Sequence, residues 1–134
     1  MRIRSLGKDQ RGVGAVEFAL IAPVLFMMII GIAQMGILFL ANAGLKHAVA
    51  EGARFAALHP RPSSADVRTR ILQKKLSLKA ERLGPVTITS GTANGSDFLD
   101  VTLTYSVPLN FLFVKVPPIE LREQRRVFIY PAAA

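Results

Sequence analysis

Glu17 is the one ionisable side chain between Gly12 and Lys46. It heads the run Phe18–Leu45, which is built from Ala, Ile, Leu, Val, Met, Phe and Gly and interrupted only by Pro23, Gln34 and Asn42. A charged group in such surroundings costs roughly 2.5–3.5 kcal/mol on insertion scales, so it normally has a partner and a role. The chemistry on offer is that of a carboxylate in search of a cation. Five residues before it stands Gly12, the end of a basic leader carrying Arg2, Arg4, Lys8 and Arg11.

Other chemistry has little support. The chain has no cysteine, which excludes disulfides and thiolate metal sites. His47 and His59 lie twelve residues apart and the chain has no cysteine to join them, so no metal is expected. No nucleophile elbow, phosphate-binding loop or paired-carboxylate site is present, and Glu51 with Arg54 reads as an i, i+3 surface pair. These absences point to a protein that is not an enzyme and needs no cofactor. The net charge of +8 suits either nucleic acid or anionic lipid. With no aromatic-studded basic patch, lipid is the better partner and nucleic acid is not expected.

The elements that must position Glu17 follow from composition. Val13–Leu58 reads as one long helix, and its portion Phe18–Leu40 supplies the ~20 apolar residues that cross a hydrocarbon core. Beyond it, Ala41–Leu58 admits Lys46, Glu51 and Arg54, as a helix leaving a bilayer would. His59-Pro60-Arg61-Pro62 breaks the helix. Ser64 is a candidate N-cap for a second, amphipathic helix over Ala65–Leu83, with an apolar stripe at Leu72, Leu76, Ala80 and Leu83 and with Val67 and Ile71 off it. Val86–Thr89 reads as a strand, Gly91–Asp97 as a turn centred on Asn94-Gly95, and Val101, Leu103, Tyr105 and Val107 as the inner face of the next strand. Leu109–Ile119 is an irregular, mostly apolar connection, and Arg122–Tyr130 a last strand. The fold class is α+β: a leader over 1–12, a long helix over 13–58, and a small head over 59–134 with one helix and an antiparallel sheet of about three strands.

Three readings compete for the apolar run. A secretory signal has an h-region of only ~7–15 residues, and this run is about twice that, although Ala41-Asn42-Ala43 imitates its cleavage site. An uncleaved single-pass anchor fits the length but leaves Glu17 unexplained. The third reading takes leader, glycine, short step, glutamate and helix together.

The segment RGVGAVEFALIAPVLFMMIIGIAQMG resembles the N-terminus of TadE-like proteins, minor pseudopilins of bacterial tight-adherence (Flp) pili. Arg11, Gly12, Glu17, Phe18, Ala19, Leu20 and Pro23 occupy the positions of that pattern. Major Flp pilins are shorter and carry Glu-Tyr at this place, so Phe18 and the extra head point to a minor subunit. The resemblance implies cleavage by a prepilin peptidase between Gly12 and Val13. It also implies pairing of Glu17 with the new N-terminal ammonium of a neighbouring subunit, which would set axial register. Its implied partners are other pilin and pseudopilin subunits, the peptidase, the inner-membrane assembly platform and its ATPase. Its implied location is the bacterial inner membrane, with the N-terminus cytoplasmic and the head outside, or an adhesive type IVb pilus; the basic leader independently argues for a cytoplasmic N-terminus.

Bland alternatives stand beside each of these residues. Gly12 could be an ordinary helix-start glycine, and Glu17 could snorkel to the headgroups. Pro23 should loosen or kink the helix in any setting. Gly44, Ala48, Gly52 and Ala56 fall four apart on one face that lets another element approach closely, either a second helix or this protein's own sheet. Arg68, Arg70, Lys74, Lys75, Lys79 and Arg82, offset by Asp66 and Glu81, read as a solvated face or as a surface for an acidic partner or lipid.

Overall fold

A computed structural model describes residues 12–58, 60–111 and 116–129. The leader through Arg11, His59, the middle of the apolar connection and the end of the last strand at Tyr130 lie outside the described residues. Helix α1 spans Val13–Ala56, helix α2 Ser64–Gln73, and a short 3-10 turn Ala80–Arg82; strands β1, β2 and β3 cover Thr87–Ala93, Ser96–Val107 and Ile119–Ile129. The three strands form an antiparallel sheet in the order β1-β2-β3. The α+β expectation and its three strands hold.

At 1.5 Å per residue, α1 is a rod of about 66 Å. It starts at Val13 with Gly12 as N-cap and passes Pro23 unbroken. The proline ring removes the donor that would otherwise close on Ala19 one turn back, so that turn is held by one hydrogen bond fewer. Its two halves meet different surroundings. From Val13 to Ile29 the large apolar side chains are exposed on every side, and from there to Leu40 only Ile30 and Leu38 among them are partly covered. From Ala41 onward a stripe is buried at Ala41, Gly44, Leu45, Ala48, Val49, Gly52, Ala53 and Ala56. That three-and-four spacing is the signature of a helix with one face on a core.

The head closes over this stripe. The inner face of β2, Leu99, Val101, Leu103, Tyr105 and Val107, joins Leu45, Val49, Val67, Ile71 and Leu78 in one cluster. α1 packs against α2, β2 and β3. The four-apart small residues are enclosed within this intramolecular seam, and the two glycines among them face α2 and the turn after it. A Cβ on Gly52 would run into the Ile71 side chain, and one on Gly44 would meet the Leu76 carbonyl and, at 3.4 Å, Leu78. Ala48 and Ala56 are fully covered.

Helix α2 departs from expectation in three ways. It ends at Gln73, not Leu83. The chain then turns through Ser77 at φ 61°, which brings Leu78 inward to the seam. Val67 and Ile71, off the expected stripe, are the buried residues, while Leu72 and Leu76 are 44% and 60% exposed. The cap is Ser63 rather than Ser64. Only Ser63 has a carboxylate three residues on, and the two close a capping box in which the Asp66 N–H donates to Ser63 Oγ at 3.2 Å and the Ser63 N–H to Asp66 Oδ2 at 3.1 Å.

The hairpin is tighter than the Gly91–Asp97 loop expected. Asn94 (φ 52°) and Gly95 (φ 75°) alone make the turn, and the ladder continues to Ala93 opposite Ser96. Gly91 lies opposite Phe98, whose ring covers it; a Cβ there would approach the Phe98 Cζ to 2.5 Å. β3 likewise begins three residues early, at Ile119, because Val107 offers it a partner.

The seam yields a first prediction. Gly52→Leu should destabilise the head by about 1–3 kcal/mol or more through overpacking, measured by urea unfolding in detergent. Gly36→Leu, where a side chain meets nothing within 4 Å, should leave the midpoint unchanged.

Candidate functional site

The lower half of α1 is the candidate site, and its construction is simple. Phe18, Leu20 and Ile32 are 67%, 72% and 70% exposed, and the most apolar stretch of the helix has a mean hydropathy of 2.5 with only 6% of it buried. A helix apolar on all sides needs surroundings other than water, either lipid or like helices. Glu17 stands in the second turn of this surface, itself exposed, and forms no ion pair among the described residues. Gly12, Val13 and Phe18 are likewise uncovered. The structure thus separates the residues singled out in sequence into two groups. Gly12, Val13, Glu17, Phe18 and Pro23 share the open stalk; Gly44, Ala48, Gly52 and Ala56 are enclosed by the head.

Between the two groups lies a contact that sequence reasoning missed. Gln34 Nε2 donates to the Asn110 carbonyl at 2.9 Å, across 76 residues of chain. One turn higher, Leu38 packs against the head's core. The head therefore reaches down α1 as far as Gln34, and the last turns of the expected Phe18–Leu40 span are shared with it. The available signal was a lone amide in an apolar run, which implies a hydrogen-bonding partner without naming one.

The other polar construction is on the outer face of the sheet. Asp100 lies opposite Arg126 in the β2–β3 register. Arg126 donates from Nε to Oδ1 at 2.9 Å and from Nη2 to Oδ2 at 2.8 Å, a bidentate pair. Its guanidinium stacks 3.8 Å from the Phe98 ring centre, and Phe98 meets Phe128 edge-on at 6.3 Å. The hydrogen bonds from Arg126 hold Asp100 below the ordinary carboxylate range, against desolvation that pushes it up. The same pair raises Arg126. Ser63 lowers Asp66 by its hydroxyl and backbone hydrogen bonds. These are clamps that fix strand register and a helix start. Glu51 and Arg54 form the expected surface pair at 4.0 Å. Among the described residues no three His, Asp or Glu side chains converge as metal ligands. A shallow cleft of about 400 Å³ beside Gly91 and Phe98 has Arg61 and Asp97 as its charged lining.

An exposed apolar stalk bearing one carboxylate and carrying a small α+β head defines a membrane-anchored stalk-and-head protein. Residues 12–54 match the family model of TadE-like proteins. The match begins at Gly12, ends two residues before α1 does, and includes none of the head. Over this stalk, about a third of its length, the chain is similar to TadE-like proteins of the Tad (Flp) pilus system. No curated protein and no solved structure matches it.

The clamps set a pH dependence. A carboxyl more acidic folded than unfolded stabilises the head fully above the unfolded range, near about pH 4, and that contribution is lost as pH falls through the folded value. Asp100→Asn should therefore lower the melting temperature at neutral pH and flatten its fall on acidification. An unchanged slope in this variant would show that the clamp carries no pH-linked stability.

Proposed function

We propose that the chain is a minor pilin or pseudopilin that enters or initiates assembly of an adhesive Tad pilus. In this reading a prepilin peptidase removes the leader between Gly12 and Val13. The carboxylate of Glu17 then pairs with the Val13 ammonium of a neighbouring subunit, and the uncovered stalk packs among other pilin stalks. The protein supplies no catalysis; cleavage and extrusion belong to the peptidase, the assembly platform and its ATPase. The basic leader argues for an N-terminus in the cytoplasm and a head outside the inner membrane.

The observation that carries this reading is the place of Glu17. It is presented, without a cation among the described residues, on an apolar surface that the head leaves bare, in the segment that matches the TadE-like family. A carboxylate transferred from water to a helix bundle is costly alone and tolerable beside an opposite charge. Such a pair fixes the stagger of packed helices, as a single buried polar residue does in coiled coils.

The structure weighs against export with cleavage after Ala43. That cut would split α1 inside its buried stripe and strip Ala41 and Leu38 from the core.

Glu17→Ala separates insertion from assembly. The variant should fractionate with membranes like the wild type yet be lost from sheared surface filaments. Wild-type recovery of Glu17→Ala in filaments would contradict the role of the carboxylate.

A further inference from the structure

We propose that the head lies on the outer leaflet of the membrane that holds the stalk, seated through two neighbouring surfaces. One is the apolar end of the sheet around Phe111 and Ile119; the other is the basic turn that follows α2. The inference rests on the membrane-anchored reading and adds a lipid-binding face that the TadE-like segment does not contain.

Depth along α1 carries the first surface. Counting from Phe18, the first residue beyond the Glu17 charge, ~20 helical residues cross the ~30 Å core and place its far boundary near Ile37. Gln34 then lies about 4–5 Å inside that boundary. The Asn110 carbonyl, hydrogen-bonded to it, sits at the same level. β2 runs down to Val107 and β3 starts back up from Ile119, so this edge of the sheet meets the interface. Its side chains suit that place: Phe111 is half-exposed, Pro117 and Pro118 are exposed, and Ile119 is 37% exposed. In water this would be an idle apolar rim; beside a lipid-crossing helix it continues the same apolar surface.

The second surface is fixed by the seam. The Leu76 carbonyl abuts Gly44, so the turn after α2 lies ten residues above Gln34 on α1. That is about 10 Å beyond the hydrocarbon boundary, within the headgroup layer and its counter-ion atmosphere. Lys74, Lys75 and Lys79 are concentrated there, with Leu76 60% exposed among them. Arg82 adds to them, while Glu81 and Glu120 oppose them, so the end stays net basic. A basic turn flanking an apolar rim is complementary to anionic headgroups over acyl chains. The opposite end of the head, at the Asn94-Gly95 turn and Phe128, points away.

The chain contains no tryptophan, so each introduced indole reports alone. Full-length single-tryptophan variants are placed in phosphatidylcholine–phosphatidylglycerol vesicles containing lipids brominated near the carbonyl or near the chain end. Phe26→Trp, in mid-span, should be quenched by the deep bromines. Phe111→Trp and Ile119→Trp should lose most of their emission to the shallow bromines and be shielded from acrylamide. Phe128→Trp should show the reverse. Lys74→Glu, Lys75→Glu and Lys79→Glu combined should restore acrylamide access to both interfacial probes. If Phe26→Trp is quenched by lipid while Phe111→Trp and Ile119→Trp behave like Phe128→Trp, the head stands clear of the bilayer and the proposal is wrong. If acrylamide access is unmoved by the triple charge reversal, the basic turn has no part in seating. Failure of lipid to quench Phe26→Trp would overturn the membrane-anchored reading itself.

Discussion

A single unbroken helix must satisfy two incompatible surroundings, and that constraint organises this molecule. Below Gln34 its side chains are apolar on every side and need a medium other than water. Above Ala41 the same backbone presents a narrow stripe to a small core and turns charges outward. The change occurs within about two turns. It is marked by Gln34, whose amide would be stranded in either setting without the Asn110 carbonyl. The hydrogen bond costs the apolar stalk little and locks the head to it at a defined height.

The head alone would be a poor domain: among the described residues, one ten-residue helix, a short 3-10 turn and a three-stranded sheet. Stalk and head therefore share their stability. Gly44 and Gly52 let the α2 region approach so closely that the Leu76 carbonyl and the Ile71 side chain fill space that would otherwise hold a side chain. The rod's surface is thereby divided. The small-residue face is consumed within the chain itself, and the stretch from Val13 to about Ala33 is left largely uncovered by the head. Glu17 lies in that remainder.

Much of this was legible in sequence because the signals are local. An apolar run of this length, a glycine ending a basic leader and one isolated carboxylate need no tertiary knowledge to be recognised. Asn94-Gly95 likewise states its turn, since both residues tolerate positive φ. What stayed hidden depended on contacts distant in the chain. The Arg126–Asp100 clamp exists only because the β2–β3 register sets the two opposite each other. Gln34 advertised a need but not its partner. For α2, a regular-looking stripe at Leu72 and Leu76 was outweighed by Val67 and Ile71, because Gly52 offered a hole for Ile71. Ser63 and Ser64 are equal as caps by residue type; the spacing to Asp66 decides between them.

The central claim is that Glu17 acts on an amino terminus made by proteolysis. Its most direct test is the intact mass of the native protein isolated from cells with an active prepilin peptidase. The account predicts a chain beginning at Val13, twelve residues shorter than the translated sequence. A chain still carrying Met1–Gly12 would contradict it and leave an uncleaved membrane anchor, and one beginning at Gly44 would make the protein a signal-processed export.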